Sequence, residues 1–70
     1  TMKTYEGTIN PATKVGDEVV ISGTRLVVVA RRELPADRYG NVADLEFRKP
    51  NGRKVLTGGV KVSGSAWFIS

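Results

Sequence analysis

The sequence predicts an all-β protein that folds as a small antiparallel barrel of five to seven short strands. Ten valines cluster with Ile, Thr, Tyr and Phe in short runs, and these are the residue types that pack best on a pleated surface. Gly, Pro and Asn interrupt the runs every few residues, as turns do in antiparallel proteins. A small antiparallel sheet protects its edges by curling on itself, so we expect a barrel.

The chain length allows one domain, which we expect to span residues 1–70. A chain of this size buries only roughly 60% of the surface that its unfolded form exposes, so it builds a single small core. It contains no cysteine and no histidine, which removes disulfides and the usual zinc ligands. We therefore expect no metal and no cofactor. Because a small core leaves little stability in reserve, a homo-oligomer is an open alternative.

Three strands are predicted in the first half of the chain, over residues 3–9, 15–21 and 24–32. The first run alternates Tyr5, Gly7 and Ile9 with polar residues, which suits a half-buried strand. Asn10-Pro11 ends it, and Ser22-Gly23 forms the turn between the second and third runs.

The second half begins with the clearest period-two pattern, over residues 42–49. Ala43, Leu45 and Phe47 lie on one face of this run and charged residues on the other. The turn Pro50-Asn51-Gly52 predicts a hairpin. Short runs over residues 53–57, 60–62 and 66–69 complete the sheet, and Gly58-Gly59 predicts a corner. In the first of these runs either Val55 or Leu56 points inward.

The predicted core follows from the inward positions of these runs. It consists of Tyr5, Ile9, Val19, Ile21, Leu26, Val28, Leu45, Phe47, Val55, Val60, Val62 and Phe68.

Residues 15–24, Val-Gly-Asp-Glu-Val-Val-Ile-Ser-Gly-Thr, precede the apolar run of residues 26–29. This stretch resembles the opening hairpin of Src-homology-3-like small barrels, including Tudor and KOW domains and phage head-completion and connector proteins. The resemblance implies a Src-homology-3-like barrel that binds nucleic acid, modified or proline-rich peptides, or neighbouring subunits. It does not fix which of these is bound. The aromatic residues are too dispersed to assign the cage of a Tudor domain.

The composition argues against catalysis. Without His or Cys there is no Ser-His or Cys-His pair to activate a nucleophile. The seven acidic residues are scattered, and a chain this short has little room for a cleft that would perturb their pKa values. We expect a binding module and not an enzyme.

Basic residues concentrate around the predicted hairpin turn. Arg48, Lys49, Arg53 and Lys54 flank it, and no acid occurs between Arg48 and Lys61, in a chain of net charge +4. A two-stranded ribbon is narrow enough to enter a major groove, and Lys and Arg at its tip would contact phosphates. We therefore predict binding of nucleic acid, DNA or RNA, through these four residues. The alternative is a solvated tip whose charges prevent edge pairing.

Five further residues are candidates for contact. Arg31, Arg32 and Lys61 extend the nucleic-acid-binding set, and Tyr39 and Trp67 are candidate partner-binding residues. The loop around Tyr39 also carries acids, so a solvated loop is the alternative there. Alternation places either Trp67 or its neighbour inside, so Trp67 either caps the barrel edge or binds a partner.

The longest apolar run has five residues, far below the roughly 20 that cross a bilayer. The first residues also lack the apolar segment of a signal peptide. We expect a cytoplasmic protein with no membrane contact. The alternative to nucleic-acid binding is a protein-interaction or assembly module, such as a small phage or regulatory protein, that uses an edge strand or an exposed aromatic residue.

Overall fold

The structure, a computed structural model, describes residues 3–35 and 37–69. In these residues it contains six β-strands and no helix, which confirms the all-β class. The strands are β1 (Thr4–Thr8), β2 (Glu18–Ile21), β3 (Thr24–Glu33), β4 (Asn41–Arg48), β5 (Val55–Lys61) and β6 (Ser65–Ile69).

The six strands form one antiparallel sheet in the order β1-β6-β5-β4-β3-β2. Strands β2 to β6 form a meander, and β1 pairs with β6, the last strand. The two outer strands then meet: the Ser22 hydroxyl donates to the Glu6 carbonyl, and a Cβ on Gly7 would lie 3.1 Å from the Cα of Ile21. The sheet therefore curls into a nearly closed small barrel, as predicted, compatible with a Src-homology-3-like fold.

The core lies inside this barrel. Its buried hydrophobic residues are Ile9, Val19, Ile21, Leu26, Val28, Ala43, Leu45, Phe47, Leu56, Val60, Ala66 and Phe68. Two predicted members are wrong: Val55 is 48% exposed and Val62 67% exposed. Leu56 is the inward residue at the start of β5, and Val62 lies beyond its end, in the turn to β6. Tyr5 is half-buried against the core.

The predicted break between two runs at Gly58-Gly59 is also wrong, because β5 continues through both glycines. Gly58 pairs with Leu45 on one side and Phe68 on the other. A Cβ at Gly58 would lie 2.0 Å from the carbonyl oxygen of Trp67. Glycine is required here because β5 and β6 approach more closely than a side chain allows.

The barrel has two ends that differ in composition. At one, called the hairpin end, the Ser22-Gly23 turn and residues 49–54 lie near the start of β1 and the end of β6. At the other, called the loop end, residues 9–17, 34–35 and 37–40 meet the turn at 62–64, joined for instance by the amide of Ile9 donating to the Gly64 carbonyl at 2.8 Å. The described residues contain no helix of the length and hydrophobicity that crossing a bilayer requires.

Candidate functional site

The hairpin between β4 and β5 carries the four basic residues that the sequence places around its turn. The ladder ends where Arg48 pairs with Val55, and the Gly52 amide donates to the Lys49 carbonyl at 2.9 Å. Pro50 follows Lys49 in this turn and presets its backbone. Arg48, Lys49, Arg53 and Lys54 are all exposed, so the tip presents its charge to solvent.

A cavity of about 230 Å³ lies between this hairpin and the end of the barrel. We call it the hairpin cleft. Buried Leu56 and Phe68 and half-buried Tyr5 form its inner side, and exposed cations form its rim. Its lining residues are Tyr5, Thr24, Lys49, Gly52, Arg53, Lys54, Leu56 and Phe68. The cleft therefore combines an apolar, aromatic interior with a positively charged edge.

An aromatic stack holds Tyr5 in place. Its ring is stacked on that of Phe68, with centroids 4.8 Å apart and planes 10° apart. Phe68 in turn meets the edge of Phe47, at 6.2 Å and 63°. Such arrangements are the favoured geometries of aromatic pairs. Tyr5 is thus the outermost ring of a series that starts in the core and ends at the cleft.

The charges around the cleft have no acidic partner among residues 3–35 and 37–69. The ion pairs in this part of the chain join Arg25 to Glu18, Arg31 to Glu33 and Arg32 to Asp44. None involves a cation of the hairpin. The positive charges of the hairpin are therefore available to bind an external anion.

Arg31 lies at the loop end, where its side chain is held by contacts within the protein. Its Nη1 donates to the carbonyls of Pro11 and Thr13, both at 2.8 Å, and its Nε to a carboxylate oxygen of Glu33 at 2.5 Å. Its side chain is only 17% exposed. Arg31 thus fastens the loop between β1 and β2 at the loop end, and its hydrogen bond keeps the pKa of Glu33 below the usual value.

Arg32 and Lys61 also lie away from the hairpin cleft. The Arg32 side chain is 78% exposed and its guanidinium lies 3.4 Å from Asp44. Lys61 pairs with Asn41 at the loop-end margin of the sheet. The structure therefore brings four of the predicted basic residues together and leaves Arg31, Arg32 and Lys61 apart from them.

Tyr39 lies at the loop end in a turn braced by Asp37. The Asp37 carboxylate accepts from the side-chain amide of Asn41 at 3.0 Å and from the backbone amides of Asn41 and Tyr39 at 3.0 and 2.9 Å. These bonds, that of the Asn41 side chain first, lower the pKa of Asp37. Tyr39 is 65% exposed, and the Arg38 guanidinium carbon lies 5.4 Å from its ring centroid.

Trp67 lies on the outer surface of the barrel and is not among the residues that line the hairpin cleft. Its inward neighbour Phe68 is buried, as alternation predicts. Trp67 is half-buried because its ring covers Gly59, where a Cβ would lie 3.2 Å from the ring edge. It is therefore a partly covered surface residue and not part of a cage.

Sequence reasoning missed the residues that form the interior of the cleft. Tyr5 and Phe68 were predicted to be core, and the sequence offers no sign that β1 and β6 pair beside the hairpin. Thr24 carries no signal of its own, and Leu56 is only an alternative to Val55 as the inward residue of its run. Among the described residues no group of three acidic side chains could hold a metal ion.

Comparison of the chain with known protein families, with curated proteins and with solved structures finds no significant match.

Proposed function

We propose that this protein is a non-enzymatic nucleic-acid-binding module with a Src-homology-3-like barrel, and that the hairpin end is its binding surface. The observation that carries the proposal is the placement of Arg48, Lys49, Arg53 and Lys54 on one exposed hairpin without an acidic partner in the described residues. Cations left in this state attract a polyanion, and phosphate contacts supply most of non-specific nucleic-acid affinity.

The tip of the hairpin favours contact with the nucleic-acid backbone over recognition of base edges. Its charges belong to flexible, exposed side chains, and no hydrogen-bond network in the described residues fixes them in a base-reading geometry. Each phosphate that such a side chain neutralises steepens the salt dependence, by about −0.9 in the log–log slope on duplex and about −0.7 on single strands. Binding should therefore weaken steeply with salt and depend little on sequence.

The test is a titration of the protein with duplex and single-stranded oligonucleotides at low and high salt. The double variant Arg53→Glu/Lys54→Glu should abolish binding, because it reverses half of the charge at the tip. The matched control is Arg32→Glu/Lys61→Glu, which changes the net charge equally, away from the hairpin. Absence of binding at low salt would refute the proposal. An equal loss of affinity in both double variants would show that the hairpin is not the site.

A second candidate function, protein interaction or assembly, is favoured by the loop end. Tyr39 and Val62 are the most exposed large hydrophobic residues of the described chain. Their segments are joined, since the Val62 amide donates to the Gly40 carbonyl at 2.8 Å. Exposed aromatic and apolar side chains that lie together are typical of partner-binding surfaces. Assembly through an edge strand has less support. The two outer strands, β1 and β2, face each other where the barrel closes, so their edges are not open to a partner.

Sedimentation over a range of protein concentrations tests this second candidate. Self-association that Tyr39→Ser removes would support it. A strict monomer that binds nucleic acid with full affinity after the same substitution would count against it.

A further inference from the structure

We infer that the hairpin cleft takes one unstacked nucleobase, so that the ligand of this surface is a single strand and not a duplex. The inference rests on the proposed function and deepens it: the hairpin cations hold the phosphates, and the cleft holds a base between them. It follows from the size of the cleft, from its aromatic side and from the position of its charges.

The size of the cleft suits a group of one or two rings. Its volume of about 230 Å³ is below the roughly 300–1,000 Å³ of pockets that take drug-sized ligands. Its inner side is apolar where Leu56 and Phe68 line it. A planar base with an apolar face matches this shape and surface, whereas a phosphate finds its cationic partners at the rim and would lose hydration against the apolar inner side.

Tyr5 supplies a fixed stacking surface. One side of its ring is covered by Phe68, so the ring cannot turn freely. The residue remains half-exposed and lines the cleft. Aromatic side chains that are held in place and open on one side are the usual platforms for bases of single strands, because every base has a π-face. Such stacking discriminates little between sequences.

The cations lie where the backbone of that strand would run. Lys49, Arg53 and Lys54 line the same cavity as Tyr5, so a base inside it would have its flanking phosphates at the charged rim. A base within a duplex is paired and stacked, and must be extruded before it can enter such a pocket. A single strand avoids that penalty and should therefore bind more tightly.

The test compares three ligands of equal length on the unmodified protein: a thymidine homopolymer, an abasic strand with the same phosphates, and a duplex. The thymidine strand should bind about 5- to 150-fold more tightly than the abasic strand, the range expected for one stacked base. The two single strands should show the same salt slope, because they carry the same charge. The duplex should bind less tightly than the thymidine strand.

Two variants locate the base. Tyr5→Leu should reduce affinity for the thymidine strand to that for the abasic strand, and leave abasic binding unchanged. Trp67→Leu removes an aromatic ring outside the cleft and should change neither affinity. Circular dichroism of each variant reports whether it is folded, and the ligand comparison on the unmodified protein stands without either variant.

The possible outcomes distinguish the base-binding cleft from the proposed phosphate binding on which it rests. Equal, salt-dependent binding of the thymidine and abasic strands would overturn the base-binding cleft and leave the phosphate-binding hairpin. A base preference that survives Tyr5→Leu, or is lost in Trp67→Leu, would overturn the cleft as the place where the base lies. No binding of any of the three ligands at low salt would overturn both proposals.

Discussion

Replacement of Gly58 by alanine should destabilise the protein strongly, although alanine normally improves on glycine in a strand. The new Cβ would lie 2.0 Å from the carbonyl oxygen of Trp67, 2.6 Å from Cε2 of Phe47 and 3.0 Å from the Cα of Phe68. The first distance is more than an ångström inside the 3.4 Å at which ordinary contact begins. Since Gly58 is paired on both sides, β5 cannot move away without breaking a ladder.

Two effects of opposite sign decide the magnitude. Alanine lowers the entropy of the unfolded chain, which favours folding by about 0.4–1 kcal/mol where the site tolerates it. Overpacking of a close-packed interior costs typically about 1–3 kcal/mol, and occasionally more. Two of the three obstructing atoms are backbone, so we expect the cost to lie near the top of this range and the net loss of unfolding free energy to be about 2 kcal/mol. A domain of this size loses about 4–8 °C of Tm for each kcal/mol.

Denaturant titrations followed by circular dichroism measure this loss. Gly59→Ala is the matched control: there the nearest atoms, at 3.2 and 3.3 Å, are the ring edge of half-exposed Trp67 and the Ala43 carbonyl. The loss of stability in Gly59→Ala should be smaller than that in Gly58→Ala, because the Trp67 ring can shift. An unchanged or raised midpoint for Gly58→Ala, or a larger loss for Gly59→Ala, would refute the close approach of β5 and β6.

Two further predictions concern the loop end. Arg31→Met keeps an apolar stem but removes the donors to two backbone carbonyls. It should lower the free energy of unfolding by about 1.5–3 kcal/mol and leave nucleic-acid affinity unchanged. A loss of nucleic-acid affinity without a loss of stability would contradict the structural role of Arg31. The pKa of Asp37 is lowered from 3.8 in the fold, chiefly by the Asn41 side chain, so its stabilisation is complete above that value and is lost as the pH falls through the folded pKa. The protection of the Asn41 amide, meaning its exchange rate relative to the intrinsic rate at the same pH, should therefore fall below about pH 4, and Asp37→Asn should remove this acid dependence; a loss of protection that persists in the variant would refute it.

Where the sequence predicted structure well, the signal was local. In β4, alternate residues of one strand reach opposite faces of the sheet, so Leu45 and Phe47 could be placed inside from their spacing alone. The same rule separated Phe68 from Trp67. The basic hairpin was equally predictable, because its charges and its turn are adjacent in the chain.

The errors arise where register depends on distant contacts. A bulge between Val28 and Ala30 shifts the alternation of β3, which brings Arg31 opposite buried Leu45 and leaves Arg32 exposed. No sequence pattern within β3 predicts this bulge. Whether Val55 or Leu56 faces inward depends on where pairing resumes after the turn, which the local sequence pattern does not show. The prediction that Val55 belongs to the core is therefore wrong.

The interior of the candidate site was hidden for a related reason. Tyr5 reaches the cleft only because β1 pairs with β6, at the far end of the chain. A sequence pattern of period two shows that Tyr5 faces inward, but not which strand lies beside it. Its partner Phe68 looked like an ordinary core residue for the same reason.

Phe68 links the stability of the barrel to the proposed base site. It pairs with Gly58 in β5 and with Tyr5 in β1, and its ring stacks on that of Tyr5. A Cβ at Gly58 presses on the backbone of β6 at Phe68, whereas the hairpin cations lie beyond the end of that contact. Folded Gly58→Ala protein should therefore lose affinity for the thymidine strand while keeping its affinity for the abasic strand. Equal losses for both strands would mean that the phosphate-binding hairpin, and not the aromatic stack, depends on the close approach of β5 and β6.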